Sequence, residues 1–87
     1  MQPAMADRLN ELHRERGDLK LQGRIRDIIP IQLELVAETE KTRRVRDLTN
    51  AWNYLSSLYY QVREYDKAEH AARKAIEICA WMRARGL

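Results

Sequence analysis

Cysteine occurs once in the 87 residues, glycine three times and proline twice, and each shortage removes a class of structure. A lone Cys79 excludes an intramolecular disulfide and any zinc site built on several cysteines, which suits a reducing compartment and a cytoplasmic location. So little glycine and proline leaves few of the tight turns on which β-sandwiches and barrels depend, and the glycines never cluster into a phosphate loop. No apolar run approaches the about 20 residues that cross a bilayer, so no membrane span is expected. An excess of one charge is missing too. Sixteen basic and 13 acidic residues leave a net charge of +3, well mixed along the chain, a balance that favours solubility over nucleic-acid binding.

What remains is rich in Ala, Leu, Arg and Glu, a helical composition, in a chain long enough for one small domain. The clearest pattern runs from Val45 to Met82. Val45, Leu48, Trp52, Leu55, Tyr59 and Val62 recur at spacings of three and four and share one helical face. After a break at Arg63-Glu64-Tyr65-Asp66, the residues Ala68, Ala72, Ala75, Ile76, Cys79 and Met82 do the same. Asp66 with Glu69 suggests a capping box at the second start. These are the marks of a helical hairpin.

Trp52, Leu55, Tyr59, Ala68 and Ala75 stand at the offsets of the W-x2-L-G-x2-Y…A…A signature, and the hairpin resembles a tetratricopeptide repeat (TPR), closest to the longer kinesin-light-chain type. Three departures have physical consequences. Ser56 takes the place of a Gly where the two helices cross, implying a looser contact. Ala72 replaces an aromatic, so its volume must come from elsewhere. Ala80 replaces a closing Pro, which lets the last helix run on.

The N-terminal half is a weaker version of the same unit. Gln2-Pro3-Ala4-Met5-Ala6 resembles the end of a pectate-lyase secretion signal used in expression vectors, so residues 1–6 read as a vector remnant or a disordered N-terminus, with residues 7–87 as a single TPR-like domain. Asp7 begins a first helix, with Leu9 and Leu12 on its seam and Gly17 as a left-handed stop. Asp18 then caps a second helix whose apolar arc is Leu21, Ile25, Ile28, Ile29, Leu33 and Val36, weakened by Gly23 and kinked or broken at Pro30. Thr39 or Thr42 caps the third helix, and Gly86 closes the fourth. Matches at lags of 46 and 43 suggest an internal repeat. The expected fold is all-α: four helices over 7–16, 18–38, 43–62 and 66–84, forming two TPR-like antiparallel hairpins, the first degenerate, with the third helix central. A closed four-helix bundle is the alternative.

No arrangement of side chains suggests catalysis, and neither enzyme activity nor a cofactor or metal is expected. His13 and His70 fall on separate helices, and Cys79 lies on an apolar stripe between Ile76 and Met82, as a buried inert thiol would. The polar face of the third helix is more informative. Asn50, Asn53, Ser57 and Tyr60, with Gln61 beside them, share one side. The TPR resemblance implies that this side lines a groove for an extended peptide or partner helix, a role suited to short polar groups beside a Tyr. Ala71, Ile78, Trp81 and Met82 widen the apolar arc of the last helix beyond what one neighbour covers. That arc predicts self-association as a homo-oligomer, such as a domain-swapped dimer, unless Trp81 folds back over the gap at Ala72.

A non-catalytic protein-interaction scaffold is therefore the leading expectation. One alternative is an engineered or excised self-assembling TPR fragment with no natural ligand. The other is a small basic nucleic-acid-binding domain, supported only by Lys41, Arg43, Arg44 and Arg46, which Glu38, Glu40 and Asp47 flank.

Overall fold

A computed structural model describes residues 5–86. They form four helices, α1 (Met5–Leu21), α2 (Ile25–Thr42), α3 (Val45–Gln61) and α4 (Tyr65–Ala84), with no strand among the described residues. The fold is all-α with four helices, as the composition and periodicity imply. Residues 1–4, the larger part of the suspected vector remnant, lie outside the described residues, while Met5 and Ala6 already belong to α1.

The three turns share one solution to helix termination. Gly23, Arg43 and Arg63 have φ of 70°, 59° and 65°, the left-handed conformation that stops a helix. At the first turn the N–H of Gly23 donates to Lys20 C=O (3.0 Å) and that of Arg24 to Leu19 C=O (3.0 Å). The third turn repeats this with Arg63 to Tyr60 (3.0 Å) and Glu64 to Tyr59 (2.9 Å). Both are Schellman motifs, which satisfy carbonyls that a helix end would otherwise leave unpaired. At the second turn a side chain takes over the longer bond. The Thr42 hydroxyl donates to Thr39 C=O (2.7 Å) and accepts from the Arg44 N–H (3.2 Å). The helix starts are equally uniform. Arg24 pairs with Asp27, Arg44 with Asp47, and Glu64 with Lys67, each joining the residue before the helix to its third residue.

Several expected boundaries move. Gly17 and Asp18 do not separate two helices, because α1 runs through both and ends beyond Leu21. Gly23 is the left-handed residue of that turn rather than a weak point inside a helix. Leu21 thus belongs to the end of α1, out of phase with the buried arc, and is 89% exposed. No break occurs at Pro30. It is the sixth residue of a continuous α2 and lies on the exposed side, where water can reach the one carbonyl, that of Arg26, whose donor is missing. Neither Thr39 nor Thr42 is the N-cap of α3, which is Arg44. The Asp66–Glu69 capping box does not form, since Glu64 precedes α4 and Glu69 pairs instead with Arg73 (2.6 Å).

Turns this short make neighbouring helices antiparallel. The helices pack in sequence order, α1 on α2, α2 on α3 and α3 on α4, so that α3 is central between α2 and α4. Among the described residues no α1–α4 packing closes a ring, and they form a slab of 43 × 40 × 15 Å rather than a closed bundle. Its core joins Val36 of α2, Leu55 of α3 and Ala71 of α4, with Ile29, Leu48, Ala51, Trp52 and Tyr59 packed around them. Burying Leu55 alone contributes about 1.5–3 kcal/mol. Ser56 does more than fill a crossing point, since its hydroxyl donates to the Ala68 C=O (2.8 Å) and ties α3 to α4. The partly buried Trp52 meets His70 edge-on at 6.4 Å and lies beside the small Ala71.

Gln32 joins three helices at the centre of the slab. Fully buried, it donates from Nε2 to the Ala51 C=O of α3 (2.9 Å) and accepts at Oε1 from Arg16 of α1 (3.0 Å). The Arg16 guanidinium then lies 4.7 Å from the centre of the Tyr54 ring. At the other end of α1, Arg8 Nε donates to Glu34 Oε2 (2.6 Å).

Candidate interaction surface

The polar face of α3 forms as its spacing predicts. Asn50, Asn53, Ser57, Tyr60 and Gln61 are all exposed, on the side away from Trp52, Leu55 and Tyr59. They do not converge on one site. Asn50 stands on the lip of a groove between α1 and α3, with α2 as its floor. Leu9, Asn10 and His13 of α1 face Asp47 and Asn50 of α3 across Gln32, Leu35 and Thr39, around a volume of about 410 Å³. Asn53 borders a separate hollow against α4. Farther along, Gln61 Nε2 donates to Ser57 Oγ (3.3 Å), and the Tyr60 ring meets Tyr65 edge-on at 5.2 Å.

The α1 side of the groove is absent from the sequence reading. Its signal is a twenty-residue register. Arg24-Ile25-Arg26-Asp27-Ile28 and Arg44-Val45-Arg46-Asp47-Leu48 carry nearly the same residues at the same positions. Twice that interval relates Asn10 to Asn50, which the lags of 46 and 43 obscure. His13 lines the groove from α1. Burial, then the neighbouring Arg16 charge, pulls its imidazole below the ordinary value of 6.5, and Asp47 opposes them.

The residues expected to mediate self-association divide as well. Ala71 is 1% exposed and forms part of the core, so it is not available to a second molecule. Ile78 and Trp81 line an apolar groove of about 360 Å³ with Val45 and Leu48, so the indole sits over the start of α3 rather than near Ala72. Trp81 is 46% exposed, with the Arg85 guanidinium 5.0 Å from its ring, and Met82 is half-buried. Ile76, assigned by periodicity to the packing stripe, is 66% exposed.

In the basic run Lys41 pairs with Glu38 (3.3 Å) and Arg44 with Asp47 (3.9 Å), while Arg43 is the turn residue. Cys79 is half-buried. Among the described residues no three or more His, Cys, Asp or Glu side chains gather as a metal site, and no helix is long and apolar enough to cross a membrane. No family model matches this chain, and neither a curated protein nor a solved structure shows significant similarity to it.

Proposed function

We propose that the protein is a non-catalytic, TPR-type protein-interaction scaffold whose α1–α3 groove holds an extended peptide or a partner helix. The observation that carries this reading is the groove itself, an open channel with a side-chain amide on each lip, His13 on the α1 lip, the Asp47 carboxylate on the α3 lip, and Gln32 and Leu35 at its base. Asn10 and Asn50 present side-chain amides that both donate and accept, which suits the alternating N–H and C=O of a peptide backbone. Leu9 and Leu35 offer apolar contact between those polar anchors. Ser57, Tyr60 and Gln61 continue the exposed polar face of α3 beyond the groove, while Asn53 borders the separate hollow against α4.

Titration of the isotopically labelled protein with a peptide library tests the reading. Amide shifts should concentrate at Asn10, His13, Asp47 and Asn50, and Asn50→Ala should weaken binding of the selected peptide about tenfold or less, as expected for one or two hydrogen bonds. Ligands that shift only the Trp81 groove, or a library with no binder, would overturn the proposed site.

A further inference from the structure

The helices α2, α3 and α4 begin at Ile25, Val45 and Tyr65, twenty residues apart, each two residues after a left-handed position. Positions forty apart therefore have equivalent places in α2 and α4. Ile28 and Leu35 are buried in α2, as are their counterparts Ala68 and Ala75 in α4. Val36 breaks the equivalence. It is 4% exposed beneath α3, whereas its counterpart Ile76 is 66% exposed. The side of α4 that corresponds to the α3-bearing side of α2 is bare. A hollow of about 230 Å³ lies there, edged by Asn53, Ile76, Cys79 and Ala80.

The chemistry along this bare stripe is symmetric about its centre. Ala72 and Ala80 lie four residues before and after Ile76, and Glu69 and Arg83 lie seven before and after. Steps of three and four keep all five on one side of the helix. We propose that a second copy of this chain covers the stripe, α4 against α4 in antiparallel orientation, with the two-fold axis at Ile76. In that arrangement each residue faces the one equally far on the other side of Ile76. Ala72 meets Ala80 of the second copy, letting the helices approach closely, and Glu69 meets Arg83 of the second copy. The acidic and basic ends thus pair twice, once on each side of the axis. A patch that complements itself under a two-fold rotation is the requirement for a closed dimer. Glu69 and Arg83 are exposed, and Glu69 already accepts from Arg73, so its carboxylate has a neighbour that orients it. This surface is distinct from the α1–α3 groove, and either can fail without the other.

Sedimentation velocity across a concentration series tests the proposal. The chain should reach twice its 10.3 kDa mass, and Ile76→Asp should return it to the monomer with helicity unchanged by circular dichroism. Glu69→Arg or Arg83→Glu alone places like charges opposite each other and should weaken the dimer by at least roughly tenfold. The double variant Glu69→Arg/Arg83→Glu restores opposite charges and should recover most of the affinity. A monomer at every concentration would overturn the proposal. So would a dimer indifferent to Ile76→Asp, or charge reversals whose combination rescues nothing.

Discussion

Gln32 carries an amide with no access to water, and its two hydrogen bonds reach both neighbouring helices. Every buried side-chain polar atom among the described residues has a partner, and Gln32 is the one whose loss leaves the most behind. Gln32→Met keeps the volume but strands the Arg16 guanidinium beside Tyr54. Its expected cost is about 1–3 kcal/mol, measured by urea denaturation. The turn residues predict the opposite sign. Arg43 and Arg63 hold a left-handed backbone that disfavours a β-carbon, so Arg63→Gly should raise stability by about 1 kcal/mol, net of the entropy glycine loses. His13 gives a pH dependence. Its folded value lies below 6.5 and the unfolded value near 6.5, so between them the unfolded chain binds more protons. Stability should therefore rise as pH increases through that window and level off above it. The urea midpoint should increase as the pH is raised through the region just below 6.5 and level off above it, and His13→Asn should shrink that increase.

Among the elements, α1 has the weakest hold. Its helix packing is with α2, through the buried Leu12 with Leu9 and Leu19 partly covered, and it reaches α3 through side chains such as Arg16 over Tyr54, whereas α3 is packed from both sides. Local opening follows the number of neighbours. Amide exchange should be fastest in α1 and slowest around Leu55 and Leu58, and Leu12→Ala should accelerate α1 selectively. Leu55→Ala should instead cost about 2–5 kcal/mol, against under 0.5 kcal/mol for Leu21→Ala at the exposed end of α1. The same contrast explains what the sequence reveals. Helices α3 and α4 are legible to within two residues because Trp52, Leu55 and Tyr59 meet a strip of alanines at unbroken spacing. In the first half Gly17 resembles a stop, yet it sits in a helix that continues past it. The actual stop, Gly23, is marked by its register with Arg43 and Arg63, and arginine is not a residue whose type announces a left-handed turn. Misplacing that stop shifts the phase of α2. Asn50 is therefore legible as a surface residue, while Asn10, His13 and Thr39 are not legible as its partners.

At the scale of the whole molecule, each helix packs against its sequence neighbours, and the consequence is an open slab. Such an arrangement resembles a short array, in which stability is a sum of neighbouring interfaces and grooves alternate along the layer. Openness leaves α2 accessible between α1 and α3, and leaves the Ile76 side of α4 free to face a second copy. A closed bundle would remove both surfaces, so openness is the claim on which the functional reading rests. The distance between α1 and α4 measures it directly. Nitroxide labels at Arg14→Cys and Arg73→Cys, in a Cys79→Ser background diluted with unlabelled protein, report that distance by pulsed electron resonance. With two intervening helices at about 8–10 Å spacing, the distribution should lie beyond about 20 Å. A dominant population near the roughly 10 Å of directly packed helices would show α1 closed onto α4 and contradict the account.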